Sequence, residues 1–167
     1  MKKILPLLLT AIALHQQPLR AADDKTEESS AAKSTVTLDQ FKLGTTVAND
    51  PVTMDSLKGK VVVLEMWGIH CGPCIASMPG LDALYKRNKD KGFMLVGLHS
   101  QQATDEEIQT KVKQLKVKFP ITTGGGGPHE GNGIPHSLVF DAQGKLVFEG
   151  HPTDAAFEKS VKKALKE

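Results

Sequence analysis

The chain has two cysteines, Cys71 and Cys74, in the sequence Cys-Gly-Pro-Cys. A Cys-x-x-Cys between an apolar, β-rich stretch and a helical one indicates a redox pair. The start of the helix provides free N–H groups and the positive end of the helix dipole, which favour a thiolate over a thiol. Because the thiolate is the species that attacks disulfides, the pattern predicts dithiol–disulfide exchange. We expect Cys71 to be the exposed attacking residue and Cys74, one helical turn further on, to be the resolving one.

The cysteine pair has two other interpretations. A structural bridge between residues this close closes so small a loop that it gains little entropy. A structural zinc site needs four protein ligands, and here two of them would have to be distant histidines. The alternative function that stays open is a metal-binding protein, for example for copper, which uses both cysteines with His70 or His136. For the redox function the sequence predicts no cofactor and no bound metal.

The elements around the pair alternate between strand and helix. Residues 61–67 form an almost unbroken β-branched run, which predicts a central strand covered on both faces. A helix up to residue 88, a strand at 93–98 and a helix after Thr104 follow. A hairpin at 137–149 and a last helix complete the domain. The predicted fold class is α/β, with a central mixed sheet and helices on both faces.

The N-terminal 34 residues have a different composition. Residues 1–22 combine a basic start, an apolar run of 11 residues and a small pair, Ala21-Ala22, which predicts a secretory signal peptide. The alternative is an uncleaved anchor, because the residue three before the break is Leu19 or Arg20 rather than alanine. Residues 23–34 are polar and predict a disordered linker. The folded domain is expected at residues 35–167.

Charge limits the partners. The formal net charge is +2 and becomes −1 without residues 1–22, because that segment holds three basic residues and no acid. A nearly neutral domain predicts neither nucleic acid nor an anionic membrane as a partner. Export would place the cysteines where disulfides persist.

The sequence resembles a known superfamily. Trp67, the Cys-Gly-Pro-Cys motif and Pro79 resemble the active-site stretch of thioredoxins, and Gly133-Ile134-Pro135 resembles their cis-proline loop. The segments 57–60 and 139–145 are similar to those of the TlpA/ResA group of exported thioredoxin-like proteins. The resemblance covers about residues 36–166. It implies a thioredoxin fold and thiol–disulfide exchange with protein substrates.

The resemblance also implies roles for single residues. Pro135 would be cis, and the backbone of Ile134 would face the sulfurs and pair with substrate backbone. Glu65 would be buried behind Cys74 and would move the proton of that cysteine, with a raised pKa. The alternative for Glu65 is a position at an exposed sheet edge. The expected substrate-contacting residues are Trp67, His70, Gly72, Pro73 and Ile134.

Two positions depart from the pattern of the superfamily. His70 replaces the usual tryptophan, and an imidazolium there would stabilise the Cys71 thiolate and make the couple more oxidising. The alternative for His70 is a solvated side chain of weak effect. Ser77 stands where some ResA-like proteins have a functional glutamate, so their narrow role is not expected here.

The segment 124–133 is rich in glycine but matches no phosphate-binding loop. It predicts a mobile loop that leads into Pro135 and gates the site. His136 directly follows Pro135 and is expected near Cys71.

Together these features predict an exported thiol–disulfide oxidoreductase. The Gly-Pro pair between the cysteines resembles that of thioredoxin and favours a reductant, which would need a thiol donor in the membrane. A monomer is expected. A role in cytochrome c biogenesis is possible at the level of the family.

Overall fold

The computed structural model describes residues 35–129, 131 and 133–166. The predicted signal peptide (1–22) and linker (23–34) lie outside these residues. Within the described part, no helix is both long enough and apolar enough to cross a bilayer.

A sheet of six strands forms the centre of the fold. The strands are β1 Thr45–Ala48, β2 Val61–Trp67, β3 Phe93–His99, β4 Ile121–Thr123, β5 His136–Phe140 and β6 Leu146–Gly150. The helices are α1 Met54–Leu57, α2 Gly72–Asn88, α3 Asp105–Leu115 and α4 Ala155–Ala164, with a 3-10 turn at Leu38–Gln40. The predicted strands at 61–67 and 93–98, the helix that ends at 88 and the hairpin are confirmed.

The strand order is β1-β4-β3-β2-β5-β6. Strand β2 pairs in parallel with β3 and antiparallel with β5, so the sheet is mixed. The predicted α/β class and mixed sheet are therefore confirmed. The sequence did not predict β1 and β4, which are short and pair mainly with each other and with β3.

Strand β2 separates two hydrophobic clusters. Val61, Val63 and Trp67 belong to the cluster that contains the cysteines and the buried residues of α2, α3 and α4. Val62, Leu64 and Met66 belong to the cluster covered by α1 and the 3-10 turn. Because side chains alternate across a strand, burial on both faces explains the unbroken apolar run at 61–67.

The glycine-rich run does not behave as the sequence predicted. Gly126 and Lys42 exchange two backbone hydrogen bonds, each 2.8 Å long. A Cβ added at Gly125 would lie 2.5 Å from the carbonyl oxygens of Lys42 and Leu43. Gly125 and Gly126 are therefore packed against another backbone segment, and the predicted mobile loop is wrong there. The glycines permit this close approach because they carry no side chain.

Two glycines of similar conformation test this packing. Gly44 (φ +75°) and Gly59 (φ +71°) both have a left-handed backbone conformation. A Cβ added at Gly44 would lie 2.0 Å from the Thr123 carbonyl oxygen, whereas a Cβ added at Gly59 would have no heavy atom within 4 Å among the described residues. We expect Gly59→Ala to lower the free energy of unfolding by about 1–2 kcal/mol through strain. Gly44→Ala adds overpacking to the same strain, so we expect it to lower the free energy of unfolding by about 3–5 kcal/mol in total. Urea denaturation of both variants measures the difference, and equal losses would contradict the role assigned to Gly44.

Candidate active site

Cys71 and Cys74 are joined by a disulfide. Their sulfurs are 2.11 Å apart and their Cα atoms 5.2 Å apart. Cys71 is the N-cap of α2, and Cys74 lies in its first turn. The backbone N–H of Cys74 donates to Cys71 Sγ over 3.2 Å. On reduction, the same N–H and the helix dipole would stabilise negative charge on Cys71.

The cysteines are less exposed than the sequence predicted. Cys71 is 7% exposed and Cys74 is 0% exposed, so the predicted exposed position of Cys71 is wrong for this disulfide form. The carbonyl oxygen of Ile134 lies 3.6 Å from Cys71 Sγ and contributes to its cover. Cys71 is still the more exposed residue of the two, because Cys74 lies inside the helix.

The cis-proline loop lies beside the disulfide. The Ile134–Pro135 peptide bond is cis, as the resemblance implied. Pro135 is buried, while Ile134 is partly exposed and packs against both hydrophobic clusters. Gly72 and Pro73, which follow Cys71 at the tip of α2, are exposed. The backbone around Ile134 and the tip of α2 thus flank the reactive sulfur.

Glu65 is a buried carboxylic acid on the same face of the sheet as the cysteines. It is 0% exposed, and in β2 it alternates in step with Val63 and Trp67, which belong to the cysteine cluster. Burial raises its pKa to about 8, although a hydrogen bond from Ser137 opposes this shift. The expected burial is confirmed and the alternative of an exposed sheet edge is wrong. At neutral pH the carboxyl holds a proton that it can exchange.

Comparisons with known proteins agree with this geometry. The sequence matches the family described as Redoxin over residues 27–165. The chain belongs to the Redoxin family. It is also 33% identical over 118 residues to the thiol-disulfide oxidoreductase ResA of Bacillus thuringiensis subsp. konkukian, a match that covers 67% of this chain and 68% of that protein. This redoxin is a thioredoxin-like thiol–disulfide oxidoreductase, and the resemblance to the TlpA/ResA group is confirmed.

Solved structures show the same fold. A thiol:disulfide interchange protein of Chlorobium tepidum TLS has a TM-score of 0.66 and 26% identity, covering 80% of this chain and 99% of its own. A thiol-disulfide isomerase of Corynebacterium glutamicum has a TM-score of 0.64 and 21% identity, covering 75% and 95%. The predicted thioredoxin fold is therefore confirmed for this redoxin.

Two predicted site residues are not where the sequence placed them. Trp67 is 0% exposed, so its side chain packs in the core and offers no surface to a substrate. His136 alternates in β5 with Ser137 and Val139 and therefore points away from the cysteine cluster. Its Nε2 instead lies 2.9 Å from Glu149 Oε1. Position next to Pro135 in sequence did not bring His136 to Cys71, because successive residues of a strand face opposite sides of the sheet.

The described residues contain no cluster that matches the alternative metal site. Over residues 35–129, 131 and 133–166, no three His, Cys, Asp or Glu side chains converge as a metal site requires. His70 is exposed, and its backbone N–H is bonded to Gln101. No observation favours metal binding over thiol–disulfide exchange.

Ser77, which stands where some ResA-like proteins have a functional glutamate, donates its hydroxyl to the Cys74 carbonyl oxygen over 2.8 Å.

The sequence missed three polar residues near the redox pair. Ser137 is buried in β5 opposite Glu65, and its hydroxyl donates to Glu65 Oε2. His99, at the end of β3, and Gln101, just beyond it, accept N–H groups from the residues before Cys71. A signal for His99 was present in the sequence, because a lone imidazole ends an otherwise apolar strand.

Ser137 allows a test of how Glu65 is tuned. Ser137→Ala removes the hydrogen bond that lowers the pKa of Glu65, so we expect the carboxyl to titrate at higher pH than in the native protein. Infrared titration of the carboxylic C=O stretch, in the oxidised protein, measures this midpoint. Ser160→Ala, which makes the same change in α4, is the control. An unchanged midpoint in Ser137→Ala would contradict the contribution of this hydroxyl.

Proposed function

We propose that this redoxin is an exported reductant of protein disulfides. The observation that carries the proposal is the Cys71–Cys74 disulfide at the start of α2, with the Ile134 carbonyl oxygen 3.6 Å from Cys71 Sγ. The Gly-Pro pair between the cysteines, which resembles that of thioredoxin, supports the reducing direction. The similarity to ResA, which is named a thiol-disulfide oxidoreductase, supports disulfide substrates.

The proposed reaction has two exchange steps. The Cys71 thiolate attacks one sulfur of the substrate disulfide, which breaks that bond, forms a mixed disulfide and releases the first substrate thiolate. Cys74 then attacks Cys71 Sγ, which releases the second substrate thiolate and forms the Cys71–Cys74 disulfide. Two electrons pass from the protein to the substrate, and the released thiolates take up protons.

Glu65 is proposed to act in the second step. The thiol of Cys74 must lose its proton before it attacks, and it is completely buried, so solvent has no direct access to it. A carboxyl on the same face with a pKa of about 8 is close to neutrality, where proton transfer in either direction is efficient. The ionised fraction of Glu65, which is the minor form below a pKa of about 8, is therefore proposed to accept that proton, and the protonated carboxyl to return it when the disulfide is reduced again.

The groove for the substrate is proposed to lie between the tip of α2 and the cis-proline loop. Its exposed members are His70, Gly72 and Pro73, with Ile134 partly exposed opposite them. Pairing of an extended substrate with the Ile134 backbone would give affinity with little dependence on sequence. The proposed effect of a charged His70 is to stabilise the Cys71 thiolate.

The proposed location rests on the N-terminal sequence. The basic start and apolar run of residues 1–22 support export or anchoring, and residues 23–34 would then link that segment to the domain. An exported reductant must be reduced again after each turnover, so we propose a membrane protein that donates thiols. A monomer is the proposed state.

The reduction potential tests the direction. Equilibration of the Cys71–Cys74 couple with glutathione buffers should give a value near −270 mV for a reductant, whereas about −120 mV would identify an oxidant and contradict the proposal. The protein, reduced beforehand, should also reduce insulin in a turbidity assay. The double variant C71S/C74S is the matched control, and equal turbidity with it would refute disulfide reduction.

A further inference from the structure

Residues 99–101 contact the segment that leads into Cys71. We call residues 67–71 the redox loop, since they connect β2 to α2. At its first residue, the Trp67 carbonyl oxygen accepts from the Ser100 N–H over 2.9 Å and from the Ser100 hydroxyl over 3.3 Å. At its last residue, the Cys71 N–H donates to the Gly68 carbonyl oxygen over 3.2 Å. Of the three N–H groups between these ends, those of Ile69 and His70 are bound by side chains.

His99 binds the first of these N–H groups. Its Nε2 accepts from the Ile69 N–H over 3.3 Å, so the ring proton must be on Nδ1. The ring is 4% exposed and packs edge-to-face against Trp67, with ring centres 5.3 Å apart. Burial and, second, the charge of His70 lower the pKa of His99. The ring therefore stays neutral at neutral pH, and its Nε2 keeps the lone pair that accepts the Ile69 N–H.

Gln101 binds the second N–H group. Its Oε1 accepts from the His70 N–H over 2.9 Å. The amide also packs tightly on the loop, because a Cβ at Gly68 would lie 2.1 Å from Oε1 and 2.2 Å from Cδ of Gln101. Glycine at position 68 thus makes room for the Gln101 side chain to reach the residue before Cys71.

We propose that His99 and Gln101 are positioning residues that fix the redox loop so that Cys71 Sγ stays opposite the Ile134 carbonyl oxygen. The proposal concerns the thiol–disulfide exchange of this family and holds for either redox direction. Neither residue touches the sulfurs. Each acts through a backbone N–H within two residues of the nucleophile.

The two cysteines differ in their need for such support. Cys74 is held inside α2 by helical geometry and the surrounding core. Cys71 has extended backbone (φ −91°, ψ 102°) at the junction of loop and helix, so its position depends on the loop. Loss of an acceptor leaves a backbone N–H without a partner, and the loop must shift to find water. A displacement of about 1 Å at a reacting atom can cost 10²-fold in rate.

Matched substitutions separate the acceptor from the bulk of each side chain. His99→Phe keeps a ring against Trp67 and removes the acceptor, while His99→Gln keeps an acceptor at the distance of Nε2 and removes the ring. Gln101→Met and Gln101→Glu form a second such pair at a partly exposed position, where folding is less at risk. Two quantities are measured for each variant. The first is the rate at which the reduced protein reacts with insulin, and the second is the hydrogen exchange of the Ile69 and His70 amides.

We expect His99→Phe and Gln101→Met each to slow the reaction about tenfold and to lose protection at Ile69 and His70, respectively. His99→Gln and Gln101→Glu should recover at least part of the rate and of the protection. Leu146→Ala, a core change in β6 within the hydrophobic cluster on the other face of the sheet, is the control for lost stability. The proposal is overturned if His99→Phe and Gln101→Met keep the native rate and amide protection, or if Leu146→Ala slows the reaction equally at an equal loss of stability.

Discussion

Cys71→Ser is expected to lower the rate of disulfide reduction at least about 10³-fold, the scale of loss typical when a catalytic nucleophile is removed. A serine hydroxyl does not attack disulfides at neutral pH, because the thiolate is the nucleophile in this reaction. The remaining thiol at Cys74 cannot replace it, since that residue is 0% exposed and lies inside α2. Insulin reduction with dithiothreitol as the electron source measures the rate.

Cys74→Ser is the matched control for this prediction. Both variants lose the same disulfide and one sulfur, so a general effect of disulfide loss would appear in both. Only Cys74→Ser keeps the nucleophile, and it should form a stable mixed disulfide between Cys71 and the substrate. Mass spectrometry without reductant detects this adduct and identifies the partner protein. An adduct on Cys74 in the Cys71→Ser variant, or full activity there, would reverse the assigned roles.

Local sequence signals predicted the elements that carry the cysteines. The β-branched run at 61–67 is buried on both faces, and the predicted helix after the cysteines ends at Asn88, as observed. The cysteine spacing and the start of the helix together place both sulfurs within bonding distance. These features depend on neighbours in sequence, so the pattern of residues was sufficient to predict them.

The features that the sequence did not predict depend on distant parts of the chain. Strand β4 has three residues and exists because β1 and β3 provide partners on its two sides. The glycine run is held by Lys42, more than eighty residues earlier. His99 and Gln101 reach the redox loop only because parallel pairing places the end of β3 beside the end of β2. Such contacts follow from the sheet topology, which the periodicity of one segment does not contain.

Glu65→Gln is expected to abolish a fall in stability that the native protein shows as the pH rises. The pKa of the Glu65 carboxyl is about 8 in the folded protein and 4.5 ordinarily. Between these values the folded protein keeps a proton that the unfolded chain has released, so the free energy of unfolding decreases with increasing pH. One such group contributes a slope of about 1.4 kcal/mol per pH unit, and the slope ends above about pH 8.

Urea denaturation of the oxidised protein from about pH 5 to pH 9 measures this slope without interference from thiol titration. Glutamine has nearly the same shape as the acid and still offers an oxygen to the Ser137 hydroxyl, but it does not titrate. Glu106→Gln makes the same chemical change at an exposed position of α3 and should keep the native slope. A native protein whose stability is flat over this range would contradict the raised pKa of Glu65.

The same variant tests the proposed proton transfer. General acid–base groups contribute about 10²–10⁴-fold, so loss of Glu65 should slow release of the mixed disulfide by about 10²-fold at neutral pH. Attack by Cys71 should change much less, because that sulfur is held at the start of the helix and its charge is stabilised there. Rapid acid quenching during a single turnover should therefore trap the mixed disulfide in Glu65→Gln and not in Glu106→Gln. Both the stability slope and the proposed proton transfer depend on one proton at the Glu65 carboxyl group. If Glu65→Gln loses the stability slope but still releases substrate at the native rate, the proposed role of Glu65 in the exchange is wrong, and Glu65 is only a buried acid.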